Sequence, residues 1–234
     1  MNANQNYSMK INQKVIDALS YAKQHSPFYK RILAAVSVDN TMDYNLFQSI
    51  PFTTKEDLST FNTDFRAVPL KSITEYATTS GTSGKPVTIY LTKNDLNRLA
   101  HNEASSLRSI GATEHDVVQL MTTIDRQFMA GLAYYLGVQE IGAGMVRLGP
   151  GVPQLQWQSI IENQATILIA VPSFIVSLLN FAEETNIYYK KTSVRKILCI
   201  GEPLRDHELN LNILGKRIKD RWDVELYSTY ASTE

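Results

Sequence analysis

Five short apolar runs recur through the second half of the chain: VVQLMTT at 117–123, MVRL at 145–148, TILIAV at 166–171, KILCI at 196–200 and VELYS at 224–228. Helical patterns lie between them, namely MAGLAYYLG, QLQWQSIIENQ, SFIVSLLNFAEET and LNLNILGKRIKDRW. Strand and helix alternating at this spacing predict an α/β fold with a mainly parallel sheet flanked by helices. The runs are nearly all apolar, as strands buried on both faces should be. In such sheets ligands bind beyond the carboxyl ends of the strands. The segments that follow the runs therefore matter most: IDRQF, PSF, GEPLRD and TYASTE. Three of these four carry an acidic group, which points to a site along one edge.

The first part of the chain is less regular. A helix over 9–36 is broken at HSPFY, because a residue preceding proline is pushed out of the helical region. Residues 37–72 read as irregular, except that Thr54, with Asp57 three residues on, can cap a short helix. This divides the chain into an N-terminal helical and irregular segment, 1–75, and an α/β region, 76–234. From Thr92 the pattern TKNDLNRLAHNEASSLRSIG predicts a helix ending at Gly111, with Leu96, Leu99, Ala100, Leu107 and Ile110 on one face.

Composition excludes several classes. Lysine plus arginine and aspartate plus glutamate number 23 each in 234 residues, which argues against a nucleic-acid stripe or a polybasic membrane contact. Cys199 is the single cysteine, so no internal disulfide forms and a reducing compartment is expected. The N-terminus lacks the apolar core of a signal peptide. No window approaches the 18 or so apolar residues of a membrane span. A soluble, cytoplasmic protein is the expectation. His25, His101, His115 and His207 show neither metal spacing nor a paired serine or carboxylate, and read as surface residues. Cys199 lies inside a predicted strand and reads as an inert core thiol.

The stretch TTSGTSGKPVTIYLT, 78–92, has a different character. Glycine amides approach a ligand closely, hydroxyls add donors and an ammonium offsets negative charge, so such a loop suits phosphate. It is not a Walker loop. Counting back from Gly84-Lys85, Thr79 stands where the first glycine should be, and Pro86 occupies the Ser/Thr position. ITEYA precedes it and VTIYLT follows, with Val87, Ile89 and Leu91 alternating against Thr88, Tyr90 and Thr92. The loop therefore joins two strands, with a tip that little apolar mass pins. A plain polar hairpin turn is the competing reading.

TTSGTSGKP resembles the phosphate-binding loop of the adenylate-forming superfamily, the acyl-CoA synthetases and their relatives. SPFYKRIL, IPFTTKEDL and YASTE are similar to the phenylacetate–CoA ligase branch, and VPSF and GEPL stand in the expected order between them. The resemblance implies that Ser80, Gly81, Thr82, Ser83, Gly84 and Lys85 hold the β- and γ-phosphates of ATP. It implies that Gly201, Glu202 and Pro203 lie along the adenine and the acyl pocket. In the terminal motif Tyr230, Ala231, Ser232, Thr233, Glu234, it implies that Tyr230 stacks on adenine, Thr233 contacts the α-phosphate and Glu234 binds magnesium. Lys85 and Thr233 would be the catalytic pair among these, and Phe128 would line the acid's pocket. Each has a blander reading. Glu202 suits a cap for the following helix, Phe128 suits a core, and Glu234 suits a frayed, solvated end.

The chemistry so implied is attack of a carboxylate on the α-phosphorus of ATP, giving an acyl-adenylate and pyrophosphate. A thiol, usually that of coenzyme A, then displaces AMP. Ala231 departs from the glycine usual in the terminal motif, and Ser83 from a threonine. The family's chains also continue for about as many residues again, with a C-terminal domain that carries the lysine driving adenylation. A fragment of a longer enzyme is therefore expected, with an exposed sheet edge that two copies could cover as a homodimer. Two alternatives stay open: a nucleotide-binding module without ligase turnover, and an acyl-protein synthetase that uses the same loop. The acid is a small carboxylic acid. IDRQFMAGL and AVPSF, apolar with one aromatic each, admit an aryl or a medium acyl group, while Asp125 and Arg126 suit a polar one.

Overall fold

The structure is a computed structural model that describes residues 11–79 and 86–230. The chain forms two compact units, which divide after Lys93.

The first unit opens with α1 (Gln13–His25) and α2 (Pro27–Ile32). They are interrupted at Ser26, whose extended backbone is what the following Pro27 demands. Ser26 then caps α2, and its hydroxyl donates to the Asp64 carbonyl at 2.8 Å. Phe28 is buried and stacks on Phe65 at 4.0 Å, with Tyr29 edge-on to both. The SPFY stretch thus builds this unit's aromatic core. Residues 37–72 are more ordered than expected. They hold α3 (Tyr44–Gln48), capped by Asp43, α4 (Lys55–Thr60) and two single 3₁₀ turns. These pieces are too short to leave a periodic signature. Thr54 and Asp57 form the expected reciprocal capping box of α4. Two strands, β1 (Glu75–Thr78) and β2 (Thr88–Leu91), pair antiparallel with Thr78 opposite Thr88. All four β2 residues are half-buried, so the alternation read in the sequence does not become a clean inside and outside.

The second unit alternates strand and helix: α5 (Lys93–Ser109), β3 (Val117–Leu120), α6 (Met129–Ile141), β4 (Gly144–Arg147), α7 (Pro153–Glu162), β5 (Ile167–Ala170), α8 (Pro172–Glu184), β6 (Lys196–Cys199), α9 (Ile213–Lys219) and β7 (Glu225–Ser228). The five strands form one parallel sheet in the order β4-β3-β5-β6-β7. Successive side chains point to opposite faces. Ile167 and Ile169 join Leu107 of α5 and Tyr134 and Val138 of α6 on one face. Leu168 and Ala170 join Trp157 of α7, Leu178 of α8 and Ile218 of α9 on the other. All four β5 side chains are fully buried, as a central parallel strand requires. β4 and β7 are edge strands with half-exposed or exposed residues, so the expectation of burial on both faces holds only for the inner three. The last helix begins at Ile213, not near Leu209, because residues 205–211 close a tight turn with Arg205 bridged to Leu211. Among the described residues no helix is long and apolar enough to cross a membrane.

Asp116 ties the amino ends of three strands together. Its carboxylate accepts from Thr166 Oγ1 at 2.7 Å, Arg195 Nη2 at 2.6 Å and Thr113 N at 2.9 Å. Burial raises its pKa, but the hydrogen bonds of Thr166 and Thr113 and the Arg195 charge outweigh this and hold it below the ordinary carboxylate value. A folded-state pKa that is lowered gives stability above the unfolded value of about 4, lost as pH falls through the folded value. Asp116→Ala is expected to cost about 2–3 kcal/mol near neutral pH. In chemical denaturation the gap from wild type should narrow below about pH 4.

Candidate functional site

Parallel pairing brings the carboxyl ends of all five strands to one edge, and the ladder continues a residue past them. Met121 N donates to Ile169 O at 2.9 Å, Ile200 N to Ala170 O at 3.1 Å and Thr229 N to Cys199 O at 3.3 Å. The segments after β3, β5, β6 and β7 therefore leave the sheet side by side. Gly201, Glu202, Pro203, Tyr230 and Phe128 all lie on this edge. Ser80, Gly81, Thr82, Ser83, Gly84 and Lys85, with Ala231, Ser232, Thr233 and Glu234, lie outside the described residues.

The backbone at this edge is held in demanding conformations. Gly201 has φ +73°, and a Cβ there would meet Val171 Cγ1 at 3.2 Å. Glycine is therefore the residue that fits the exit from β6. Glu202 reaches back to the start of α8, where its carboxylate accepts from Ser173 N at 2.9 Å and Ser173 Oγ at 2.7 Å. The cap anticipated for Glu202 exists, but on the preceding helix. Val171, the N-cap residue of α8, has no side chain able to serve. Glu202 also adds negative charge near Cys199, whose thiol is pushed up to about 12, chiefly by burial. This cysteine stays protonated and inert.

Phe128 is the N-cap residue of α6, half-buried and outside both core clusters. Arg126 and Gln127 just before it have φ of 57° and 58°. The first turn of α6 presses on that loop, since a Cβ on Gly131 would sit 1.9 Å from Thr123 O and 2.8 Å from Ile124 Cα. Tyr230 follows the end of β7 and is 98% exposed, with its ring free of the core.

In the first unit, the ends of the segment that carries Ser80–Lys85 are closed. Thr79 N donates to Val87 O at 3.0 Å, and Val87 N donates to Thr79 Oγ1 at 3.1 Å. Thr79 and Val87 are both buried, so the base of the loop is anchored. The four histidines are exposed as expected, but three of them do meet a carboxylate on the surface: His101 meets Glu140 Oε1 at 3.1 Å, His115 meets Glu114 Oε1 at 3.6 Å and His207 meets Glu208 Oε1 at 3.9 Å. Among the described residues no group of three or more His, Cys, Asp or Glu side chains could hold a metal. Sequence reasoning passed over Gln119 and Gln156, which are buried beside this edge. The available signal was a glutamine in the middle of the apolar run VVQLMTT.

Comparison with known proteins bears on what this edge does. The family described as "AMP-binding enzyme" matches residues 37–234. The chain is 29% identical over 174 residues to phenylacetate-coenzyme A ligase of Escherichia coli (strain K12), a match covering 73% of this chain and 40% of that protein. It is 26% identical over 220 residues to phenylacetate-coenzyme A ligase of Pseudomonas putida, covering 93% of this chain and 48% of that one. The chain thus spans about half the length of the curated relatives it matches. Among solved structures it superposes with a TM-score of 0.81 on 2-hydroxyisobutyryl-CoA ligase in an open conformation with 2-HIB-AMP and CoA, at 18% identity, over 94% of this chain and 52% of that one. It also superposes on the N-terminal subdomain of Klebsiella oxytoca NpsA with 3-hydroxyanthranilyl-AMSN, with a TM-score of 0.51 at 16% identity, over 81% of this chain and 43% of that one. At such identities the superpositions establish the fold.

Gly131→Ala is expected to lower stability by about 3 kcal/mol or more, because the clash is with backbone that has nowhere to go. Thermal unfolding should show a drop of several degrees.

Proposed function

This chain belongs to the AMP-binding enzyme family, and from that premise we propose that its sheet edge and glycine-rich loop bind ATP and activate a carboxylic acid as an acyl-adenylate, for transfer to coenzyme A. The observation that carries the reading is the convergence on one edge of the segments after β3, β5, β6 and β7, which hold VPSF, GEPL and the start of YASTE. The likeness to phenylacetate-coenzyme A ligases supports an aryl acid as the substrate.

The chain's residues have these roles in the proposal. The anchored pair Thr79 and Val87 fixes the ends of a loop whose Ser80–Lys85 hydroxyls, amides and ammonium hold the β- and γ-phosphates, neutralising charge on the leaving pyrophosphate. The exposed ring of Tyr230 stacks on adenine, beside the Gly201–Pro203 segment. Because the Glu202 carboxylate is engaged at Ser173, it acts by fixing that segment rather than as a free base. Thr233 contacts the α-phosphate. A lone carboxylate, Glu234, joined by phosphate oxygens is a donor set that suits Mg²⁺. That ion would supply charge neutralisation when bound. Phe128, at the mouth of α6 and outside the core, lines the acid's pocket. No protein nucleophile is needed, since positioning and charge stabilisation serve this chemistry.

The test is thermal unfolding of the chain with and without MgATP and AMP, beside a Ser80→Ala, Lys85→Ala variant. At about 100 times its dissociation constant a ligand stabilises by about 2.7 kcal/mol, a shift of several degrees. Wild type is expected to shift and the variant not. No shift in wild type would contradict the proposal.

A further inference from the structure

β3 carries a fully buried glutamine. Gln119 is 0% exposed and faces α7, where Gln156 is 1% exposed. A buried amide costs free energy unless every polar atom is paired, and here the pairing is complete. Gln119 Nε2 donates to Gln156 Oε1 at 2.9 Å and to Gln156 O at 3.3 Å, while Gln119 Oε1 accepts from Ser159 Oγ at 2.9 Å. Gln156 Nε2 in turn donates to Gly149 O at 2.8 Å and Gly151 O at 3.1 Å.

Those two carbonyls belong to the loop that leaves β4 at the carboxyl edge. Gly149 and Gly151 have φ of 75° and 90°, and Val152 has φ 43°. A β-branched residue in that region is an outlier that persists only where its surroundings enforce it. Gly149 N also donates to Leu120 O at 3.2 Å, which ties the loop to β3. The same strand leads directly into the segment ending at Phe128. The strand order sets this loop at the opposite end of the edge from β7, whose following segment is assigned above to the nucleotide. Phe128, assigned above to the acid's pocket, follows the adjacent strand β3, so the acid is the reactant proposed for this end of the edge.

We propose that Gln119 and Gln156 are positioning residues that hold Gly149–Val152 as the fixed outer wall of the acid pocket, and so take part in selecting the acid. The ligand part of this rests on the acid activation proposed above. An apolar pair at 119 and 156 removes both amides together, so neither is left orphaned; Ser159 Oγ keeps its contact with Asn163 Nδ2 at 3.2 Å, and the carbonyls of half-buried Gly149 and exposed Gly151 turn to water. The cost of the polar pair is then repaid in loop geometry, with Val152, 63% exposed, as the apolar face presented.

The test compares wild type with Gln156→Leu and with the double variant Gln119→Leu, Gln156→Leu. Amide hydrogen exchange over 149–155 is measured without ligand. Affinity for AMP, and for phenylacetate at saturating AMP, is measured by calorimetry. Gln156→Leu alone should unfold at lower temperature, since buried Gln119 Nε2 then loses its side-chain acceptor and faces an apolar group. The double variant should unfold near wild type, exchange its loop amides about tenfold faster or more and bind phenylacetate about tenfold more weakly, a change the size of one lost hydrogen bond. Its AMP affinity should stay within about twofold. Unchanged loop exchange would overturn the proposal, as would a loosened loop with phenylacetate affinity intact or an equal loss for both ligands. A wild type that binds AMP but neither phenylacetate, hexanoate nor 4-hydroxybenzoate overturns the acid assignment. A wild type that binds no AMP overturns the nucleotide reading itself, a failure visible before any variant is made, while the exchange comparison still decides what holds the loop.

Discussion

Everything at the candidate site depends on the parallel pairing of β5 with β3 on one side and β6 on the other. A central strand with four buried side chains has no water to satisfy its amides, so both ladders must form in full. Their register places Ala170 beside Cys199 and Ile169 beside Leu120. Once that is set, Thr122–Phe128, Val171–Ser173, Gly201–Pro203 and Thr229–Tyr230 must leave the sheet at one level. Asp116 fastens the opposite end of the same three strands. The chemistry proposed for the edge therefore borrows its precision from hydrogen bonds that touch no ligand.

The edge is also stiffened locally, by different means at different strands. Beyond β3, Gly131 lets helix backbone press on loop backbone. Beyond β4, buried glutamines hold a loop rich in positive φ. Beyond β6, a glycine turn delivers Glu202 to cap the neighbouring helix. Each device holds a loop in a conformation it would not choose alone, as a preorganised binding edge requires. The anchoring of Thr79 to Val87 follows the same logic at the base of the glycine-rich loop.

Much of this was legible in the sequence, and the reasons are physical. The inner strands could be read because two-sided burial leaves unbroken apolar runs, and the capping box at Thr54 because its two side chains are three residues apart. Phe28, Ser26 and Pro27 formed a recognisable cluster, although their role in an aromatic core came only with the fold. What escaped depended on long-range neighbours. The Glu202 cap joins residues 29 apart in sequence, and Gln119 meets Gln156 across 37. The exposure of β4 and β7 follows from strand order, which composition does not encode. The short α3 left too few residues for a period to show. The roles assigned to Ser80–Lys85 and to Thr233 and Glu234 rest on motif resemblance, since those residues lie outside the described part of the structure.

The central claim is that nucleotide is held at the carboxyl edge of this sheet. Hydrogen exchange of the chain with and without AMP tests it most directly. The account predicts added protection at Gly201–Leu204 and from Thr229 onward, with the amino-end strand residues around Asp116 unchanged. Protection confined to other surfaces, or absent at AMP concentrations that saturate binding, would contradict it.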